Sequence, residues 1–191
     1  MRSALLLLWT LTAAILLPGC LAFQTKEYHI QLKTDHSGEA LLRFTNLRSE
    51  SDDTLDTSAD DFAQLIGSYL NGSQIEKQNP GFQNVRKRLF EQNGVLVGEI
   101  EFTFDSLSAI QVFKFDRASP YMYYVGSSLS SEQLLESNGT SGGSWMPVIF
   151  WPKDAREFFI KTKAVSEVAY HRSLVDRFRT WEGQREILHK N

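Results

Sequence analysis

Apolar and polar residues alternate along Glu27–Lys33, where Tyr28, Ile30 and Leu32 fall on one side, and again along Ala40–Thr45. A repeat of two is the signature of a half-buried strand. Thr34-Asp35-His36-Ser37-Gly38-Glu39 between them has the composition of a turn, with Asp35-His36-Ser37 suited to an Asx-type turn, so the pair predicts a β-hairpin. The period then changes. Phe62, Leu65, Ile66, Tyr69 and Leu70 recur at helical spacing and predict an amphipathic helix. Ser58-Ala59-Asp60-Asp61 resembles a capping box at its start, and Asn71-Gly72 supplies its stop.

The clearest hairpin joins Val85–Gln92 to Val95–Asp105 through Asn93-Gly94, because both residues tolerate the positive φ of a type I′ turn. Leu96, Ile100, Phe102 and Phe104 share one face of the second strand, and Val97, Glu99, Glu101 and Thr103 share the other. Ala109–Phe115 and Pro120–Val125 read as further strands, and a meander is the simplest topology. Ser127–Ser144 is rich in Ser and Gly and reads as a loop around a short helical turn at Ser131–Glu136. Val148–Trp151 and Glu157–Ala164 predict two more strands. Ser173-Leu174-Val175-Asp176 opens a last helix with Leu174, Val175, Phe178 and Trp181 on its apolar face and Gly183 at its end. The fold class expected is α+β, an antiparallel sheet of about six to eight strands with two amphipathic helices.

The first twenty residues obey a different logic. Arg2 is followed by an uncharged, mostly apolar run, Ala4–Leu17, too short for a transmembrane helix of roughly 20 residues. Leu17-Pro18-Gly19-Cys20 then places a small residue before the only cysteine, and resembles the lipobox of bacterial lipoproteins. The resemblance covers about a tenth of the chain. It implies cleavage between Gly19 and Cys20 and acylation of Cys20 with fatty chains. It also implies a membrane partner reached through covalent lipid and a place in the cell envelope. Leu21 is not the Asp that retains enterobacterial lipoproteins in the inner membrane, so the outer membrane is expected where the host has two. The alternative is an ordinary secretory signal cut after Ala22.

On the lipoprotein reading, residues 1–19 are signal, 20–26 are the lipidated cysteine and a short tether, and 27–191 are one globular domain. Six extended residues from Leu21 to Lys26 reach at most roughly 20 Å, so the domain is held close to the bilayer. With Cys20 lipidated, the domain has no disulfide. The sequons Asn71-Gly72-Ser73 and Asn138-Gly139-Thr140 are then coincidental. Lys and Arg number 20 against 23 Asp and Glu. That mild acidity argues against a nucleic-acid binder, which carries a basic stripe.

No catalytic residue, metal ligand set or cofactor site emerges. Gly139-Thr140-Ser141-Gly142-Gly143 matches G-x-S-x-G, but its flanks lack the strand and helix of a nucleophile elbow. His29, His36, His171 and His189 are scattered without metal-ligand spacing. The acidic stretch from Glu50 to Asp61 lacks a calcium-loop pattern and suits a solvated approach to a helix N-terminus. The aromatic residues are more suggestive. Core packing is the plainer reading of them, and the sharper one is an apolar binding surface drawn from Phe113, Phe115, Tyr121, Tyr123, Trp145 and Trp151. The functional expectation is a membrane-anchored envelope lipoprotein that binds or scaffolds, its partner an envelope protein or a hydrophobic ligand. A hydrophobic-ligand or lipid carrier is the alternative, and an envelope hydrolase comes third.

Overall fold

The computed structural model describes residues 21–51, 54–125, 132–143, 145–166 and 170–189. Signal, cleavage site and Cys20 lie outside the described residues, as do Glu50–Asp61 in part and Ser127–Ser131. The chain begins with strands β1 (Leu21–Ala22), β2 (Thr25–Leu32), β3 (Gly38–Thr45) and β4 (Arg48–Ser51). Helix α1 (Ser58–Gln64) runs into a π-helical turn (Leu65–Leu70), and α2 (Gln74–Gln78) follows. Next come β5 (Gln83–Gln92), β6 (Val95–Phe104), a 3₁₀ turn (Leu107–Ile110), β7 (Val112–Phe113) and β8 (Tyr121–Tyr124). The remainder is β9 (Glu132–Ser137), β10 (Thr140–Ser141), β11 (Val148–Trp151), β12 (Glu157–Ala164), β13 (Tyr170–Ser173) and α3 (Val175–His189).

The described strands form three antiparallel sheets, and the fold is α+β. The main sheet has the order β5-β6-β3-β2-β12-β9, a second has β10-β11-β8-β7, and a small one has β1-β4-β13. Both hairpins expected from the sequence are present, β2 with β3 and β5 with β6. Asn93 and Gly94 both take positive φ, 52° and 79°, as a type I′ turn requires. The Asx turn is also as expected, Ser37 donating to Asp35 from its amide (3.1 Å) and its hydroxyl (2.7 Å). The sheet is not a meander: β6 pairs back with β3, and β2 with the much later β12.

One face of the main sheet packs against the second sheet. Tyr28, Ile30, Phe102, Phe104, Phe158 and Ile160 meet Val112, Tyr121, Tyr123, Ile149 and Trp151 in the larger core. A second cluster, around Leu47, Phe62, Leu65, Leu96, Leu174 and Phe178, seats α1 and α3 beside the small sheet. The outer face carries charge. Glu99 is buried there, 2 % exposed, where Arg43 Nη1 (2.9 Å) and Arg88 Nε (2.6 Å) donate to it.

Several expectations are corrected. The tether does not exist as free chain from Leu21 onward: Leu21 and Ala22 pair with Ser49 and Arg48, and β2 begins at Thr25. Ser131–Glu136 is not a helical turn, because residues from Glu132 extend along the edge of β12. Ala109–Phe115 is a 3₁₀ turn and a two-residue strand, with Gln111 in the left-handed region between them. Gly183 does not end the last helix, which continues to His189. The N-cap of α1 is Thr57 rather than Ser58. Asp61 accepts from the Thr57 hydroxyl (3.1 Å) and from Ser49, so its carboxylate ties the helix to β4.

Candidate functional site: an apolar cavity on the main sheet

A cavity of about 360 Å³ lies on the core face of the main sheet, within the range of roughly 300–1,000 Å³ usual for ligand sites. Strand alternation builds its floor. Residues two apart point the same way, so Lys26 and Tyr28 of β2, Leu42 and Phe44 of β3, and Gly98 and Ile100 of β6 line one surface. Gly98 opens that floor: a Cβ there would lie 3.1 Å from Leu47 Cδ1 and 3.4 Å from Leu89 Cδ2.

The roof comes from the segment between α1 and β5. Leu65, Tyr69 and Leu70 of the π turn and Ile75 of α2 face the cavity. A hydrogen bond from the Asn71 amide to Ile66 O (2.9 Å) closes the wider turn. Widening brings Leu65 and Leu70, five residues apart, to the same side, which an α-helical turn does not do. Lys87 fastens roof to sheet, its ammonium donating to Gly72 O (2.7 Å) and Glu76 Oε2 (2.9 Å). Phe82 stacks on Phe102 and carries the chain from α2 back to β5. Leu21, Ala22 and Phe23 complete the wall at the end where β1 enters, and Ala109–Gln111 and Tyr123 complete the other side.

Polar chemistry gathers beside Tyr28. Its side chain is 5 % exposed, and its hydroxyl is the one buried side-chain polar atom without a hydrogen-bond partner among the described residues. Burial, with Tyr123 close by, pushes its pKa far above the ordinary phenol value, so it is a neutral donor. Burial and the Glu132 carboxylate push Tyr123 up to about 12. Lys26 Nζ donates to Glu132 across 2.7 Å, and the Thr162 hydroxyl donates to the same carboxylate across 2.6 Å. The cavity therefore offers mostly apolar walls and an ion pair already satisfied, with the unpartnered Tyr28 hydroxyl buried beside it. The large majority of buried side-chain polar atoms have a partner, so the Tyr28 hydroxyl calls for one, a water or a bound molecule.

The six aromatics proposed as one binding surface do not form one. Tyr121, Tyr123 and Trp151 are core residues, of which only Tyr123 reaches the cavity, whereas Phe113, Phe115 and Trp145 are exposed. Strand parity separates them: Val112, Tyr121, Tyr123, Ile149 and Trp151 point inward, and Phe113 lies opposite Met122 on the outer side. The other candidates are also dispersed. His29 stacks near Phe159 on the outer face, His36 sits in the β2–β3 turn, and His171 Nδ1 lies 3.2 Å from Glu50. Ser141 is exposed on the short edge strand β10, opposite Ile149. Asn138 of that stretch is committed to structure: its Oδ1 accepts from Trp151 Nε1 (2.7 Å) and the Phe159 amide (2.8 Å), and its Nδ2 donates to Glu157 O (3.0 Å).

Among the described residues, no three His, Cys, Asp or Glu side chains converge as metal ligands, and no helix is long and apolar enough to cross a membrane. Comparison with protein families, curated proteins and solved structures finds no match to this chain.

Proposed function

We propose that the protein is a lipid-anchored component of the cell envelope that binds a single-chain amphiphile in the cavity over β2, β3 and β6. The observation that carries this reading is a cavity of about 360 Å³ with mostly apolar walls, beside the buried, unpartnered Tyr28 hydroxyl. An alkyl chain suits walls built from Leu42, Phe44, Leu65, Leu70, Ile75 and Ile100, and a carbonyl or carboxyl oxygen suits the hydroxyl. Apolar burial supplies about 25 cal/mol per Å² of ligand surface, and the hydrogen bond orients the chain. Because Leu21 to Phe23 form one wall, a lipid carried on Cys20 would sit next to this pocket in sequence. Ligand exchange with the bilayer is the activity such an arrangement serves.

Calorimetric titration of the processed protein with dodecanoate, below its micellar concentration, tests the reading. One site with a negative heat-capacity change is expected. Leu42→Trp, which fills the floor without adding charge, should abolish it. Absence of a saturable site in the parent protein contradicts the proposal.

A further inference from the structure

We infer that the end of the sandwich carrying Trp145, Met146 and Val165 is seated in the headgroup layer of a lipid bilayer, so that the domain touches the membrane at a second point besides its anchor. The inference rests on the lipidation of Cys20 proposed above and adds a surface to it.

Two ring contacts and the backbone pairings fix which end this is. Tyr121 lies 6.1 Å from His36 in the β2–β3 turn, and Tyr123 lies 6.5 Å from Tyr28 (ring centroids). Strand β8 therefore runs from that turn toward the start of β2, where Leu21 enters. Beyond it, the Val125 amide donates to Pro147 O and the Gly142 amide to Val148 O, both at 2.8 Å. The turn bearing Trp145 thus projects from the Leu21 end. Strand β12 arrives there as well: Lys163 pairs with Thr25, the Ala164 amide donates to Gln24 O (3.0 Å), and Val165 follows.

Trp145 is 99 % exposed, and Met146 and Val165 are half exposed. The turn that presents Trp145 is shaped rather than loose. Gly143 has φ +84°, the Met146 amide donates to Gly143 O (3.2 Å), and a Cβ on Gly142 would lie 2.6 Å from Met146 O. Scattered exposed apolar residues are ordinary on a protein surface. Here their position decides, because β1 pins Leu21 to Ser49 one residue after the lipid-bearing cysteine. The bilayer must then abut this end of the domain. Indole is the side chain most at home at the headgroup level, where its ring meets apolar chains and its N–H meets water. Exposed Lys163 beside Val165 suits anionic headgroups.

The test uses the processed, lipidated protein in vesicles of phosphatidylethanolamine and phosphatidylglycerol with brominated acyl chains. Bromine quenches indole only on contact; Trp151 is buried in the larger core, and Trp181 is partly buried against the second cluster, so W145F isolates the Trp145 signal. The parent protein should lose part of its emission in brominated vesicles relative to unbrominated ones, and W145F should abolish that loss. Equal quenching of parent and W145F, both still attached to vesicles, overturns the surface, leaves the anchor standing and places Trp145 against water or another protein. A protein that does not remain with the vesicles at all overturns the anchor, and this surface with it.

Discussion

Tyr28 and Tyr123 meet edge to face in the core, their ring centroids 6.5 Å apart and their planes at 75°, and both line the cavity. The pair joins the main sheet to the second sheet at the point where the pocket becomes polar. Tyr28 is a core residue that, on the proposed function, also hydrogen-bonds the ligand. Leaving a buried hydroxyl unpaired costs about 1–3 kcal/mol. Tyr28→Phe should accordingly raise the stability of the ligand-free protein by about 1 kcal/mol while weakening dodecanoate binding about tenfold. Urea denaturation and calorimetry check the two halves, and a variant that loses both stability and binding contradicts the assignment.

The same two phenols make stability depend on alkaline pH. Burial raises the folded pKa of each above the unfolded value of about 10, and that of Tyr123 to about 12. Above pH 10 the unfolded chain loses these protons more readily than the folded one. Their contribution is thus fully present below about pH 10 and declines as the pH rises beyond it. Urea midpoints between pH 8 and pH 11 should fall more steeply for the parent than for Tyr123→Phe. Parallel curves contradict this source of the slope.

Asn138 holds the edge of the second sheet to the first. Alanine there removes the acceptor of two donors, the part-buried Trp151 Nε1 and the more exposed Phe159 amide. A loss of about 1–3 kcal/mol in unfolding free energy is expected, most of it from Trp151 Nε1, with Trp151 fluorescence shifted toward the red. Ser141→Ala, three residues away on an exposed edge, should leave stability and dodecanoate binding unchanged.

Glu99 between Arg43 and Arg88 offers a contrast on the outer face. Removing one member of a fully buried ion pair costs about 3–5 kcal/mol because the remaining charge stays in the interior. Both arginines are partly exposed here, 26 % and 62 % at the side chain, and can return to water. Glu99→Leu should cost less, about 1–2 kcal/mol by urea denaturation. A loss above 4 kcal/mol would show that Arg43 cannot rehydrate.

Local pattern made much of this fold legible. The period-two runs of β2, β3 and β6, the Asn93-Gly94 turn and the inward set Leu96, Ile100, Phe102 and Phe104 all follow from neighbouring residues. What escaped depends on distant ones. Glu132–Ser137 has no clean alternation and becomes strand because β12 offers it an edge, a case where context outweighs propensity. Glu99 lies on the face opposite Ile100 and Phe102 yet is buried, since Arg43 and Arg88 from the neighbouring strands pair with it there. The cavity has no sequence signature, because its walls are assembled from Leu21 to Glu132 and its polar pair, Lys26 and Glu132, is 106 residues apart. Of the aromatic cluster only Tyr123 reaches the cavity, and alternation within Tyr121–Tyr124 already divided it into inward and outward members.

Whether the pocket beside Tyr28 holds one alkyl chain is read by native mass spectrometry of the processed protein, extracted from membranes in mild detergent. The spectrum should show the acylated chain carrying one additional noncovalent mass of a single-chain amphiphile, released on collisional activation and missing from Leu42→Trp. A parent spectrum with only the acylated chain, unchanged after incubation with dodecanoate, contradicts the account.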